Sequence, residues 1–383
     1  MKIAERPILA QILIIFAVPV ILFACAGIFS LIALSLYTGT NIDHIPSLMS
    51  GVPTQQVIDA YKITQLISTV FVFMAPPLIL PWLLFGENPW DYLRARKKSH
   101  ITLYILTALI FYAASPLLDL TIMWNSKLQL PAFMHNIEIW MRQGEDTNDK
   151  ITSYFLKMPN IGSLIVNIII IALLPAIAEE FMFRGFIQRI LVSWTKRPHL
   201  AIVLSAAIFS FIHFQFYGFV PRMLLGILFG YLFYWSGDIK LPIFAHFINN
   251  FVGVMAAYYH QESIDAKPED LPMNHMYIYY LSLLALGALV FAFYWLSRSY
   301  HKSVEDNMKD SPDRWVKIYA SPHTFEADII VGNLESEGIE AVVVNKKSSS
   351  YTVFGEAEVH VHEIDAERAL EIIKAGKPEE NQS

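Results

Sequence analysis

The sequence has few charged residues and a single cysteine. Only 16% of its 383 residues are charged, whereas a soluble domain carries roughly 25%. Because Cys25 has no second cysteine to pair with, an internal disulfide framework and a metal site made of cysteines alone are both excluded. The net charge of −6 comes without a long basic run, so the electrostatic footprint of a nucleic-acid-binding protein is missing. We therefore predict no nucleic-acid partner.

Hydrophobic residues make up 55% of the chain and are concentrated in its first three hundred residues. A membrane-spanning helix needs about 20 largely apolar residues. Candidate spans lie at about 9–37, 64–85, 101–124, 160–178, 200–217, 221–236, 240–258 and 275–297. We expect the fourth to continue as helix to about residue 194. The pattern predicts an all-α polytopic membrane protein with about eight transmembrane helices in a lipid bilayer.

The positions of lysine and arginine predict the orientation of these spans. Basic residues precede the first span and follow the second, the fourth and the last. The loops between them, at 38–63, 125–159 and 259–274, are richer in Asp and Glu. Basic loops stay on the cytoplasmic side of a membrane. We therefore expect an integral protein of the bacterial cytoplasmic (inner) membrane, with both termini in the cytoplasm.

The last eighty residues have a different character, rich in Glu, Lys and Ser. Strand patterns occur at 315–320, 339–345, 351–354 and 358–363, and helical patterns at 324–337 and 366–375. The order β-α-β-β-β-α predicts a small α+β domain of ferredoxin-like type. The predicted organisation is an N-terminal helix with an external loop (1–60), a helical core (61–300), a linker (301–313), a soluble domain (314–376) and a disordered tail (377–383).

Three clusters of polar residues interrupt the predicted spans. Ionisable side chains inside a membrane are costly, so each is a candidate for function. Glu180 and Arg184 lie four residues apart and can pair on one helix face, which leaves Glu179 free for proton transfer. The clusters are Glu179-Glu180…Arg184 after the fourth apolar run, Phe209…His213 in the fifth span and His246…Asn250 in the seventh.

These residues allow two chemistries. Glu179, His213 and His246 could bind zinc with an open fourth position. Alternatively, a carboxylate acts as general base without metal, a histidine orients the water and a His/Asn pair stabilises the oxyanion. The sequence lacks the zinc signature His-Glu-x-x-His, which slightly favours the second chemistry. Each cluster alone also has a structural interpretation, as an ion pair at a helix end or a polar contact between helices.

The three motifs, in this order on successive helices, resemble those of the CAAX protease and bacteriocin-processing family, which includes Ras-converting-enzyme-like membrane peptidases. The resemblance covers roughly residues 60–260. It implies an intramembrane endopeptidase that cleaves a membrane-associated or lipidated peptide, either as a metalloprotease or through glutamate-activated water. The roles that the resemblance implies are water activation by Glu179 with help from His213, oxyanion stabilisation by His246 and Asn250, and support by Glu180 and Arg184.

The soluble domain resembles a small bacterial domain family proposed to transduce signals. That resemblance implies binding of a ligand or a protein partner, without chemistry of its own. His360 and His362 share one strand face, where a solvated surface is favoured over a metal site. Two alternatives for the whole chain stay open. One is a non-catalytic membrane binding or immunity scaffold that keeps the peptidase fold. The other is a small-solute transporter, suggested by buried charges and proline-broken helices.

Overall fold

Long apolar helices form most of the chain, which a computed structural model describes over residues 8–49, 54–260, 276–309, 315–321, 324–345 and 357–375. Among these residues, seven helices are long and apolar enough to cross a membrane. They are α1 (Ile8–Thr38), α3 (Gln55–Phe85), α5 (Ile101–Ser126), α7 (Ile161–Thr195), α9 (Phe219–Ser236), α10 (Lys240–Tyr259) and α11 (Met276–Lys309). Four further helices lie between them: α2 (Ile45–Met49), α4 (Pro89–Tyr92), α6 (His135–Phe155) and α8 (Pro198–Phe211).

The predicted polytopic, all-α membrane fold is confirmed, with one span shorter than expected. The fifth predicted span, 200–217, is the helix α8, which has only 14 residues and ends at Phe211. Phe214 then adopts a left-handed backbone conformation with φ of 52°, and a left-handed residue stops a helix. His213 therefore lies in the turn after α8 and not within a span.

The predicted external loop at 125–159 contains a helix that the sequence pattern did not reveal. None of the residues of this helix, α6, is fully buried. Its polar composition predicts a loop, because it lacks a continuous apolar run. The predicted linker at 301–313 likewise remains helical as far as Lys309, the end of α11. The fourth span does continue beyond residue 178, as α7 reaches Thr195.

Two of the membrane helices widen into π-helical turns just before a proline. In α3 the π segment Thr69–Met74 precedes Pro76 and Pro77, and in α7 the segment Ile168–Leu173 precedes Pro175. Proline has no N–H to donate and its ring crowds the carbonyl four residues earlier. A π turn bonds five residues apart and gives room for that loss. The prolines thus change the helix geometry without ending the spans.

The chain divides into two compact units, residues 1–233 with 238–293, and residues 234–237 with 294–383. The second unit contains the predicted α+β domain, which is confirmed. Its elements are β1 (Trp315–Ser321), α12 (Thr324–Ser336), β2 (Ala341–Asn345), β3 (Ala357–His362) and α13 (Ala366–Ala375). The sheet is antiparallel with order β1-β3-β2. The strand predicted at 351–354 lies outside the described residues.

Candidate functional site

The helix α7 carries a buried ion pair. Arg184 Nη1 donates to Glu180 Oε1 at 2.8 Å, and the two side chains are 1% and 0% exposed. Arg184 Nη2 also donates to the carbonyl of Gly226 on α9 at 3.1 Å. The guanidinium lies over the rings of Phe209 and Phe229, at 4.8 and 5.4 Å from the ring centroids. Since a buried charge must be paired to be tolerated, these contacts hold the pair inside the bundle.

His246 on α10 extends this pair into a chain of three side chains. Its Nδ1 donates to Glu180 Oε1 at 2.9 Å, so one carboxylate oxygen accepts from both Arg184 and His246. The imidazole stacks on Phe229 with ring centroids 5.4 Å apart. With Nδ1 committed to Glu180, the other ring nitrogen, Nε2, faces Oε2 of Glu179 at 3.9 Å. The first and third sequence clusters therefore meet.

Glu179 stands beside this chain without being bonded to it. Its side chain is 13% exposed, and the 3.9 Å to His246 exceeds hydrogen-bond length. One water molecule could hydrogen-bond to both groups from the side. The second oxygen of Glu180, Oε2, is buried and accepts no hydrogen bond from any residue in the described part of the chain. Such an oxygen is a usual position for an ordered water.

A hydrogen bond to the backbone at the end of α8 holds the His213 side chain in the turn that follows. Its Nδ1 donates to the carbonyl of Phe209 at 2.8 Å. In the neutral ring this leaves Nε2 without a proton, as an acceptor. The Phe209 ring contacts both histidines, with centroids 5.1 Å from His213 and 6.0 Å from His246. Phe209 thus joins the second cluster to the other two through ring contacts.

Side-chain hydrogen bonds from several elements fix the turn formed by residues 212–218. Asn125 of α5 donates to the Phe216 carbonyl, and Glu145 of α6 accepts from the Tyr217 N–H. Arg222 donates to Gln215 within the turn, and Ser210 donates to the Phe219 carbonyl across its two ends. Burial raises the pKa of the Glu145 carboxyl, while the Tyr217 N–H acts in the opposite direction. The turn therefore depends on α5 and α6 as well as on its own two helices.

Asn250 contacts the backbone of α7. Its Nδ2 donates to the carbonyl of Ile171 at 3.2 Å, and its Oδ1 accepts from Asn249. Ile171 lies four residues before Pro175, which has no N–H to offer that carbonyl. The amide of Asn250 thus donates to a carbonyl that Pro175 cannot serve. This structural contact was not predicted, and it engages part of the amide that was predicted to stabilise an oxyanion.

The length of α7 explains how the motifs reach the same depth. Glu179 lies 16 residues before the end of α7, and His213 lies 15 residues after the start of α8. At 1.5 Å per residue, both are roughly 23 Å from the turn that joins the two helices. A fourth helix ending near residue 178 would have left the two motifs at different depths.

The three predicted zinc ligands do not form one cluster in the part of the chain that the structure describes. No group of three or more His, Cys, Asp or Glu side chains in the described ranges could hold a metal ion. Glu179 and His246 approach each other, but His213 is fixed separately by its bond to Phe209. This arrangement does not fit a three-ligand zinc site, and the ligand set Glu179, His213 and His246 stays a prediction.

The two histidines of the tail domain are engaged in contacts within the sheet. His360 Nε2 lies 3.0 Å from Glu358 Oε2, and His362 Nε2 lies 3.5 Å from Glu340 Oε2. The His362 ring packs on Trp315 with centroids 4.0 Å apart. Both side chains are about one-fifth exposed, at 17% and 21%. They pair with acidic and aromatic neighbours on one sheet face.

A second polar contact between α7 and α9 was missed by the sequence reasoning. Gln188 is buried four residues after Arg184 and donates to the carbonyl of Gly230, as Arg184 does to that of Gly226. A Cβ at either glycine would come within 3.0 Å of a side-chain atom on α8, from Ala206 or Ile202. The spacing Gly-x-x-x-Gly is a known signal for close helix packing in membranes. That signal could have identified this contact.

The segment between α3 and α5 packs against α7 at Gly185. A Cβ there would clash with Cδ2 of Leu93, so any larger residue would require Leu93 to shift. Arg189, one turn later, donates to the Tyr92 carbonyl and lies over the Tyr92 ring at 4.0 Å. Burial, with the neighbouring Arg94, lowers the pKa of Lys97 in this segment to about 8. Glycine at this position was a further signal that sequence reasoning did not use.

A match to a known protein family covers the part of the chain that contains the three motifs. Residues 161–252 match the family model of type II CAAX prenyl endopeptidases, Rce1-like. This segment contains all three motifs, from Glu179 to Asn250. Residues 315–377 match DUF2007, whose description proposes a prokaryotic signal transducing protein. The two matches confirm both resemblances predicted from the sequence.

A curated relative matches a short part of the chain. An uncharacterized protein, YpbD of Bacillus subtilis (strain 168), is 32% identical over 88 residues, which are 22% of this chain. The match covers 42% of that protein, so the chain spans less than half the length of the relative. No solved structure matches the chain.

Proposed function

We propose that this protein is an intramembrane endopeptidase in which Glu179 activates the attacking water. The observation that carries the proposal is the buried chain Arg184–Glu180–His246, which ends 3.9 Å from the Glu179 carboxylate. Arg184 compensates the charge of Glu180, and Glu180 orients the imidazole of His246. Glu179 is left unbonded beside that imidazole, as a general base requires. The family match of residues 161–252 supports the same reaction class.

The proposed reaction uses one proton twice. Glu179 takes a proton from a water molecule, and the water oxygen forms a bond to the carbonyl carbon of the scissile peptide. The C–N bond then breaks, and Glu179 returns the proton to the leaving nitrogen. Neutral His213 has an acceptor at Nε2 and would orient the second water proton. These steps give one acid and one amine product without any other reactant.

The charge on the intermediate requires a hydrogen-bond donor. His246 in its protonated form carries N–H at Nε2, on the side that faces Glu179. That group would donate to the carbonyl oxygen as it becomes negative. Asn250 has a second N–H besides the one directed to Ile171, and it would add to this stabilisation. The roles of His213, His246 and Asn250 thus follow those that the family resemblance implies.

The substrate class proposed is a membrane-associated or lipidated peptide, because the site lies within a bundle of membrane helices. We assign the tail domain a binding role for a ligand or protein partner, supported by its own family match. That match also motivates the competing function, a non-catalytic membrane scaffold. In a scaffold without catalytic activity, changes at the motif residues would impair function only as far as they reduce stability.

The test is cleavage of a fluorogenic membrane-peptide library by the detergent-purified full chain. Glu179→Gln keeps the shape of the side chain but cannot take up a proton, so activity should fall by roughly 10²–10⁴-fold. The matched control is Glu87→Gln, an exposed glutamate between α3 and α4, which should keep full activity. Thermal unfolding of all three proteins shows whether they are folded.

A chelator arm tests the metal. Cleavage that is lost in Glu179→Gln but kept in a strong zinc chelator would assign the reaction to the glutamate alone. Loss in both would assign it to a metalloprotease. Full activity in Glu179→Gln would contradict the role given to Glu179. Absence of cleavage of every peptide by the folded wild-type protein would contradict the proposal in favour of the scaffold.

A further inference from the structure

A cavity of about 350 Å³ lies between α6 and the turn that carries His213. Its aromatic wall is formed by Trp140 of α6 and by Phe214 and Phe216 of the turn. Trp140 and Phe216 contact each other with ring centroids 5.7 Å apart. More than half of the Trp140 and Phe214 side chains is nevertheless exposed. The rings are therefore available to an additional apolar group.

The remaining wall is uncharged and mostly polar, with Met141 as its apolar member. Gln143, Thr147 and Asn148 of α6 supply amide and hydroxyl groups to it. Three charged residues of α6 near the turn have other partners. Arg142 lies over the Tyr217 ring and pairs with Glu138, and Glu145 accepts from the Tyr217 N–H. The lining therefore favours an occupant that is neutral, partly apolar and able to form hydrogen bonds.

The cavity adjoins the proposed site. Phe214 directly follows His213, and consecutive Cα atoms are about 3.8 Å apart. The left-handed conformation of Phe214, with φ of 52°, is strained for a residue with a side chain. The bonds from Asn125 and Glu145 to the next residues of the turn hold it in place. A group bound in the cavity would therefore contact residues that are one to three positions from His213 in the chain.

We propose that this cavity is a specificity subsite that binds a large apolar side chain of an extended, uncharged peptide next to the scissile bond. The inference rests on the proposed function and names the substrate class at that site. A peptide suits the lining better than a prenyl chain does. Beside a hydrocarbon, the polar groups of Gln143, Thr147 and Asn148 would lose hydrogen bonds without replacement. The volume is near the lower end of the range of about 300–1,000 Å³ for ligand pockets.

Gly144 provides a sharp test, because it lines the cavity and a Cβ there meets no atom within 4 Å. Gly144→Trp would place an indole in the cavity from a position where its Cβ has free space. The control Gly287→Trp adds the same side chain to α11, also where a Cβ meets nothing within 4 Å. The substrates are pairs of peptides that differ only by Phe or Ala at one position beside the cleaved bond. A farnesylated peptide serves as competitor.

We expect wild type and Gly287→Trp to prefer Phe at one position by on the order of tenfold or more in kcat/KM. Gly144→Trp should lose that preference through a higher KM for the Phe peptide, while its kcat for the Ala peptide stays within about twofold. An unchanged preference in Gly144→Trp would overturn the inference. Competition by the farnesyl group without any preference for Phe would overturn it in favour of a prenyl site.

A second measurement does not depend on turnover. A peptide carrying a benzophenone side chain at the preferred position is photo-crosslinked to the Glu179→Gln variant and, separately, to the wild-type protein. Crosslinks within residues 140–148 or 214–216 support the subsite even if no peptide is cleaved, in which case only the peptidase proposal fails. Crosslinks confined to other helices contradict the subsite whether or not cleavage occurs.

Discussion

One oxygen atom, Oε1 of Glu180, organises the polar residues of the site. It accepts from Arg184 four residues along the same helix and from His246 on another. The first bond compensates the charge, and the second fixes the orientation of the imidazole. A single carboxylate oxygen thereby determines which nitrogen of His246 faces Glu179. Removal of Arg184 would leave this carboxylate buried without its counter-ion.

At the residue scale we predict that Arg184→Ala is strongly destabilising. Breaking a buried pair by removing one partner costs about 3–5 kcal/mol, because the remaining charge is uncompensated. The control is Arg96→Ala, which breaks the exposed pair with Asp91 at 3.2 Å. Exposed pairs contribute about 0–1 kcal/mol. Unfolding in mixed detergent micelles gives both values, and equal effects would contradict the buried role of Arg184.

The same two bonds mark how far sequence reasoning reaches at this scale. The Glu180–Arg184 pair was predictable because helical geometry alone brings residues four apart together. The bond to His246 joins positions 66 residues apart, and no local pattern encodes it. The contact of Asn250 with Ile171 also depends on which helix α10 packs against. These distances come from packing, which one sequence does not display.

At the element scale, α9 is fitted to its neighbours through two glycines. Gly226 and Gly230 approach α8 so closely that a Cβ would meet Ala206 at 2.9 Å and Ile202 at 2.8 Å. Their carbonyls accept from Arg184 and Gln188, one helical turn apart on α7. Three helices therefore meet along one small-residue stripe that holds the ion pair in place.

We predict that Gly226→Ala destabilises the protein although alanine favours helices. The added methyl must displace α8 or Arg184, and overpacking costs about 1–3 kcal/mol. Gly287→Ala is the matched control, since its Cβ meets nothing within 4 Å. There the higher helix propensity of alanine should stabilise by up to about 1 kcal/mol. Opposite signs in the same unfolding assay are expected, and a stabilising Gly226→Ala would refute the close packing.

Helix boundaries show where local patterns were sufficient. Seven spans were recognisable from their apolar runs, as hydropathy directly reflects the membrane environment. The short helix α8 was predicted too long because its apolar residues continue beyond Phe211 into a turn that tertiary bonds impose. The helix α6 was missed for the converse reason, because it is polar and contributes no buried residue.

At the scale of the whole molecule, the chain has two units with separate hydrophobic cores. The core of the second unit includes Val359, Val361 and Leu334, each fully buried. Unfolding of such a chain is not a two-state process. The helical membrane part and the small α+β domain were predictable because the change in composition near residue 300 separates a membrane environment from an aqueous one.

We therefore predict that Val359→Ala shifts one of two unfolding transitions. Val359 lies at the centre of β3, and loss of two buried carbon atoms costs about 2 kcal/mol. Calorimetry should show a lower transition temperature for the tail domain and an unchanged one for the membrane helices. Cleavage of a small peptide without a tail ligand should be unaffected. A shift of both transitions together would mean that the units unfold as one.

The π-helical turn Ile168–Leu173 lies between the start of α7 and its acidic pair. A turn bonded five residues apart holds about one residue more than an α-helical turn. Within it, residues 168–171 are four consecutive isoleucines, so deleting one would leave almost the same composition. Such a deletion would convert the wide turn into an ordinary α-helical turn, and the residues after it would keep their positions. Glu179 would still face His246, so the surplus isoleucine lets α7 lose one residue ahead of its acidic pair without a change in their direction.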